Sequence, residues 1–271
     1  EIGEGVPVGF EKGMNVTVNP YTNCGKCASC RNGRVNACEH NETLGVQRNG
    51  SMQEFLVLPW TKVIPAAGLS DKECALIEPM SVGFHAVSRA QVTDIDTVAV
   101  IGCGMIGLGA IVRASLRGAR VIAMDIDDEK LELAKRLGAS MVINSKTENV
   151  VERVRELTDG YMADVVIEAV GSPVTYVTAI DIVAFTGRVA CIGYAKSEVA
   201  FQTKYFVQKE LDIRGSRNAM PEDFRAVIHY LQNDCPMNEL ISAVVKPEEA
   251  GEALQKWSEN PGKVFRMLVE F

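Results

Sequence analysis

The sequence predicts an α/β fold: a doubly wound parallel sheet, preceded by a lobe of short strands held by a metal. Three observations point there. Val98-Ala-Val-Ile-Gly102-Cys-Gly104-Met-Ile-Gly107 is an apolar run that ends in Gly-x-Gly-x-x-Gly and opens a helical segment. From Thr93 onward, strand-like and helix-like stretches alternate, the mark of parallel strands joined by crossovers. Upstream, Cys24-Gly-Lys-Cys27-Ala-Ser-Cys30 is followed after seven residues by Cys38, a cluster with metal-ligand spacing.

Residues 1–77 read as short β segments, at 6–8, 15–18 and 55–58, separated by Gly, Asn and Pro turns. They predict part of an antiparallel barrel, from which a loop at 19–41 hangs. Four thiolates close a tetrahedral zinc site with no open position, so a metal held there is structural. A disulfide knot would use the same residues, but this spacing suits a metal better and nothing signals secretion. A ferredoxin-type iron–sulfur cluster would want its last Cys three residues on and then Pro; here the gap is seven and Glu39 follows. Lys26, Arg31 and Arg34 read as solvated decoration of this loop.

Pro79 suits a first helical position and so predicts a helix over 80–89, at the boundary of the second domain. The glycine-rich run then feeds a helix through Ser115 that stops at Gly118. The apolar run 120–125 is a second buried strand ending in an acid, Asp125. Asp127 caps a helix whose Leu131, Leu133, Ala134 and Leu137 face the sheet, and Gly138 ends it. Further strands are expected at 141–143, 164–168, 188–192 and 211–214. After Pro221 come a helix to about 233, a strand at 240–245, a helix through 256 and a last strand at 264–269.

Strand, glycine fingerprint, helix, strand and terminal acid in one unit predict dinucleotide binding. Gly102, Gly104 and Gly107, with Met105 and Ile106 between, give the tight turn and let pyrophosphate reach the helix N-terminus. A carboxylate at Asp125 accepts bonds from the adenosine ribose and repels a 2′-phosphate, which favours NAD over NADP. Gly171 and Gly193 follow the fourth and fifth strands, at the edge of the sheet where a nicotinamide lies.

With 47% hydrophobic and 23% charged residues, the chain is neither disordered nor fibrous. A net charge of −7 and the lack of a basic block argue against a nucleic-acid partner. No apolar run reaches the ~18 residues of a membrane span. Of eight cysteines, Cys74, Cys103, Cys191 and Cys235 lie outside the cluster and read as buried small hydrophobes or free thiols, which fits a reducing cytoplasm.

The two motifs, in this order, resemble the zinc-containing medium-chain dehydrogenases. Gly50-Ser-Met-Gln-Glu54-Phe-Leu-Val-Leu-Pro and Ala75-Leu-Ile-Glu78-Pro79-Met-Ser-Val-Gly-Phe-His85 are similar to segments of that family, the second to its polyol and sugar-acid branch. Val166-Ile-Glu-Ala-Val-Gly171 and Gly187-Arg-Val-Ala-Cys-Ile-Gly193 are similar to its fourth and fifth coenzyme strands. The resemblance implies a partial GroES-like catalytic domain at 1–77, a Rossmann domain at 78–220 and a segment at 221–271 that returns to the catalytic domain. It implies NAD as cofactor, zinc, a polyol or sugar-acid substrate, and a homodimer or homotetramer paired through the sheet edge at 201–215. Threonine, glucose and simple alcohol dehydrogenases of the same family are the alternatives, as is a silent NAD-binding protein.

By the same resemblance Glu78 lies at a catalytic zinc, as ligand or as partner of its water, where alcohol dehydrogenases place Cys. Lys130 corresponds to a ribose-contacting position or is a solvated helix lysine. Arg217 resembles a substrate-side arginine. His85 lines the cleft or packs within its helix; His40 and His229 read as surface or structural residues. The family's Cys-Gly-x-Asp and Gly-His-Glu segments, which supply further catalytic ligands, have no counterpart here, and Glu1-Ile-Gly-Glu-Gly resembles the turn after them. A polypeptide of these residues alone is therefore expected to bind NAD without oxidising an alcohol.

Overall fold

The computed structural model describes residues 1–233, 237–260, 262 and 264–271. It divides into two compact units, Glu1–Ser81 with Asn218–Phe271, and Val82–Arg217.

In the first unit, β1 (Val16–Val18) pairs antiparallel with β2 (Val63–Pro65), and the cysteine loop, with its one-turn helix α1 (Ala28–Arg31), lies between them. The expected barrel is thus represented by a two-stranded ladder. Residues 6–8 and 55–58 form no strand; Val8 and Val57 are fully exposed, while Val6, Leu56 and Leu58 are partly buried.

The helix expected over 80–89 begins earlier: α2 spans Asp71–Arg89 with Pro79 inside it. Its start is set by Ser70 and Glu73. The Ser70 hydroxyl accepts the Glu73 N–H at 3.4 Å, and the Glu73 carboxylate accepts the Ser70 N–H at 2.7 Å. This is a reciprocal capping box. Pro79 has no N–H for the Ala75 carbonyl, a loss the helix tolerates because apolar neighbours Leu76, Ile77 and Met80 are fully buried.

The second unit is a six-stranded sheet of parallel strands. In chain order its elements are β3 (Thr97–Ile101), α3 (Met105–Leu116), β4 (Arg120–Asp125), α4 (Asp128–Arg136), β5 (Met141–Asn144) and α5 (Val150–Leu157). They continue with β6 (Ala163–Glu168), α6 (Pro173–Ile182), β7 (Val183–Cys191), α7 (Lys204–Gln208) and β8 (Asp212–Gly215). The strand order is β5-β4-β3-β6-β7-β8, so the chain winds outward one way from β3 and then the other way from β6. Central strands are buried on both faces, which is why they read as apolar runs rather than alternating ones. Ile101, Ile122, Met124, Ile143, Val166 and Val189 form their core.

Local signals act as read. Asp127 accepts the N–H groups of Glu129 and Lys130 and starts α4, while Gly118 and Gly138 take positive φ after α3 and α4. Within the expected sheet edge at 201–215, Lys204–Gln208 is helical, with the Phe201 and Phe206 rings 5.2 Å apart. Only the end of this stretch joins the sheet, as edge strand β8.

The chain then returns to the first unit as α8 (Pro221–Leu231), β9 (Ala243–Val245), α9 (Ala250–Glu259) and β10 (Met267–Val269), with β9 and β10 paired in parallel. Cys235 lies outside the described residues. Among the described residues no helix is long and apolar enough to cross a membrane.

Candidate metal centre and coenzyme site

The cysteine loop gathers its four thiols: the Sγ atoms of Cys24, Cys27, Cys30 and Cys38 all lie within 4.8 Å of one another. Cys27 Sγ is 3.5 Å from Cys30 Sγ and 3.8 Å from Cys38 Sγ. A tetrahedron with Zn–S bonds of about 2.3 Å has S–S edges of about 3.8 Å, so the cluster has the size of a zinc site. Backbone amides orient it further, Cys27 N–H donating to Cys24 Sγ and Cys24 N–H to Cys38 Sγ, each at 3.3 Å. These amide bonds favour thiolate. The N–H groups of Lys26 and Cys27 hold the Cys24 thiol below its ordinary range, and those of Cys30 and Glu39 bring Cys27 down to about 6. Burial pushes Cys30 up to about 11. Among the described residues this is the one group of three or more such ligands, and it does not include Glu78.

Glu78 has a partner that spacing did not reveal. The Tyr21 hydroxyl donates to its Oε1, and Tyr21 is buried. Burial first, and then the Glu78 charge, push the Tyr21 phenol far above its ordinary value, so it remains a donor. The two residues are 57 apart in sequence, and no local pattern links them. Asn19, whose side chain accepts the Tyr21 N–H at 3.1 Å, and Phe224, whose ring meets Tyr21 edge-on, fix the phenol in place.

In the second unit, the glycine-rich turn has the shape its sequence implies. A Cβ on Gly107 would stand 1.8 Å from the Gly102 carbonyl oxygen, so only glycine lets α3 sit this close to β3. Gly104 is the N-cap of α3 and offers no side chain to the free amides, and a Cβ there would meet open space. Bare amides facing an open side are a fit for pyrophosphate. Met105 is buried, and Ile106 partly so.

Asp125 ends β4 beside this turn. Its Oδ2 accepts the Cys103 N–H at 2.7 Å, and its Oδ1 accepts the N–H groups of Ile126 and Asp127 at 2.8 and 3.1 Å. Three of about four acceptor directions are thereby used, which locks the carboxylate and leaves room for one hydroxyl. Lys130 is buried, against the alternative of a solvated helix lysine. Its charge reaches Cys103, pulling down a thiol that burial and Asp125 raise. Arg217 is exposed, directly after β8. His85 is buried within α2; His40 and His229 are exposed.

Gly171 and Gly193 meet. Gly171 has φ +79°, a Cβ on it would lie 2.6 Å from the Tyr194 nitrogen, and one on Gly193 would lie 2.2 Å from the Gly171 nitrogen. Glu168, not singled out by the motif, is fully buried beneath this contact. The signal was present: Val165-Val-Ile-Glu168 is an apolar run closed by an acid, like the run closed by Asp125.

Residues 1–68 match the alcohol dehydrogenase GroES-like domain, and residues 106–233 match the zinc-binding dehydrogenase family. The chain is 35% identical to L-galactonate-5-dehydrogenase of Escherichia coli K12, over 80% of this chain and 64% of that protein. It is also 35% identical to sorbitol dehydrogenase of Halalkalibacterium halodurans, over 85% of this chain and 68% of that one. The chain thus spans about two thirds of the length of these relatives. Among solved structures, a short chain alcohol dehydrogenase from Escherichia coli CFT073 complexed with NADH superposes over 100% of this chain and 80% of its own, with a TM-score of 0.90 and 27% identity.

Proposed function

The chain belongs to the zinc-binding dehydrogenases with an alcohol dehydrogenase GroES-like domain, an oxidoreductase family, and from that premise we propose that it serves the NAD-linked oxidation of a secondary alcohol in a polyol or sugar acid. The observation behind the coenzyme choice is Asp125, locked by three amides beside the Gly102–Gly107 turn. A fixed negative charge at that point accepts a ribose hydroxyl and repels a 2′-phosphate. Glu78, in the place where the alcohol branch has Cys, supports the polyol or sugar-acid class, as do the names of the two relatives.

Zinc in the family supplies Lewis-acid polarisation of the substrate hydroxyl, and the nicotinamide accepts the hydride. In this chain the Cys24–Cys38 cluster is closed and holds its lobe without touching chemistry. Glu78, oriented by Tyr21, would contribute one of the roughly three protein ligands that a catalytic zinc takes, or would bond its water. The amides at the start of α3 hold the pyrophosphate, Asp125 takes the ribose with Lys130 nearby, and the Gly171–Gly193 contact forms the nicotinamide end. Arg217, exposed after β8, is the candidate for a substrate contact. Edge strand β8, with Ile213 exposed, pairs with a second copy, which gives a homodimer or a tetramer of dimers. The free Cys74, Cys103 and Cys191 fit a reducing cytoplasm.

The test assays the protein with NAD on a panel of polyols, aldonic acids and simple monoalcohols. It should reduce NAD with at least one polyol or aldonic acid, and Glu78→Ala should depress turnover far more than NAD affinity. Turnover confined to simple monoalcohols would overturn the substrate class.

A further inference from the structure

Glu168 is the last residue of β6, at the point where the strand order reverses. The crevice of such a sheet opens outside the carboxyl ends of the strands on either side of that reversal, here β3 and β6, and Glu168 pairs with Ile101 of β3. Its side chain is 0% exposed, and a carboxylate removed from water needs partners. One oxygen has three: Oε1 accepts the Val170 N–H at 3.0 Å, the Gly171 N–H at 2.8 Å and the Thr175 hydroxyl at 2.8 Å. The other, Oε2, is buried with no partner among the described residues. A carboxylate placed only for its own satisfaction would share its bonds between both oxygens. This one is placed for the turn it holds.

That turn packs against the loop after β7 as well as against Gly102. Gly171 touches the loop after β7 backbone to backbone, at Gly193 and Tyr194, and the Tyr176 hydroxyl donates to the Gly193 carbonyl at 2.6 Å. Burial first, and then the Glu168 charge, push the nearby Cys191 thiol up to about 11. Burial first, with Cys191 and Glu168 adding to it, pushes the Tyr176 phenol up to about 12. Both therefore stay neutral in the working range and remain hydrogen-bond donors, while Glu168 Oε1 is the acceptor on which the turn converges.

We propose that Glu168 is a positioning residue for the nicotinamide end of the coenzyme: through Oε1 it sets the Gly171 turn against Gly193, and so the floor on which that ring lies. The inference rests on the NAD reading above. The adenosine and pyrophosphate ends are held from the other half of the sheet, by Asp125 and the start of α3. Removing Glu168 should therefore weaken the whole dinucleotide more than a fragment that lacks nicotinamide. Gly102 backs onto Val170, a Cβ on it meeting Val170 Cγ2 at 2.6 Å, so some loss is shared by both ligands. A ratio removes that shared part.

The experiment is calorimetric titration of NAD and of ADP-ribose into the full chain, unmutated, as Glu168→Gln and as Glu168→Ala. The ratio of Kd for NAD to Kd for ADP-ribose should rise about threefold or more in Glu168→Gln, which keeps the shape but loses charge-assisted bonding, and about tenfold or more in Glu168→Ala. If Glu168→Ala does not fold, Glu168→Gln decides alone. A ratio that changes less than about threefold in Glu168→Gln, while the unmutated chain binds both ligands, overturns the role of Glu168 and leaves the coenzyme reading intact. An unmutated chain that binds neither ligand overturns the coenzyme reading itself.

Discussion

At Asp125, three backbone amides fill most of a carboxylate that the sequence marked only as an acid at a strand end. Such a group is rigid, and on the proposed reading that rigidity is what tells a ribose hydroxyl from a 2′-phosphate. Tyr21 does for Glu78 what the amides do for Asp125, though from a distant part of the chain. Tyr21→Phe removes a buried bond to a charged acceptor and should lower unfolding free energy by about 2 kcal/mol, measured by urea titration. The pH dependence has a definite sign. A phenol whose folded-state pKa lies above its unfolded value of 10.0 contributes stability that is whole below that value and is lost as pH climbs past it. The unmutated protein should weaken above pH 10, and Tyr21→Phe should flatten that slope; identical slopes would refute it. In the metal-free lobe, Cys24 and Cys30 are both partly exposed, but amides lower one thiol and burial raises the other. Iodoacetamide at neutral pH should therefore label Cys24 ahead of Cys30, as peptide mapping after chelation would reveal.

Among the elements, those with short-range causes were legible. The fingerprint turn, the Asp127 cap and the glycines after α3 and α4 depend on residues within a few positions, and they form where the sequence puts them. The start of α2 is set by Ser70 and Glu73, well before Pro79. A proline is a sound first-turn signal, yet a capping box with buried residues on both sides outweighs it. Ser70→Ala should lower stability by about 1 kcal/mol, and Glu73→Ala should show much of the same loss, since the two bonds form one device. What stayed hidden depends on distant partners. Residues 6–8 and 55–58 have strand-forming composition but no ladder partner among the described residues, and 204–208 coils against its own aromatic neighbours before β8. Tyr21 opposite Glu78 and Gly171 against Gly193 are contacts of the folded backbone, invisible to spacing.

For the whole molecule, the division into two units has a measurable consequence. The cysteine cluster belongs to one and the coenzyme turn to the other. One zinc should be retained per chain through Cys24, Cys27, Cys30 and Cys38, and iron or no metal on elemental analysis would count against that. Stripping it should destabilise the first unit, because a structural zinc supplies folding energy, while NAD affinity stays within about twofold. Saturating NAD at 100 times Kd should stabilise the second unit by about 2.7 kcal/mol, visible as a rise in one melting transition. Light scattering at micromolar concentration should report a dimer or tetramer paired through β8. The central claim, that a locked Asp125 makes this an NAD-binding dehydrogenase, is tested most directly by titrating NAD and NADP into the unmutated chain and into Asp125→Ser. NAD should bind at least about tenfold more tightly than NADP, some 1.4 kcal/mol, and Asp125→Ser should narrow that gap. Equal affinities in the unmutated chain, or a gap that survives Asp125→Ser unchanged, would contradict it.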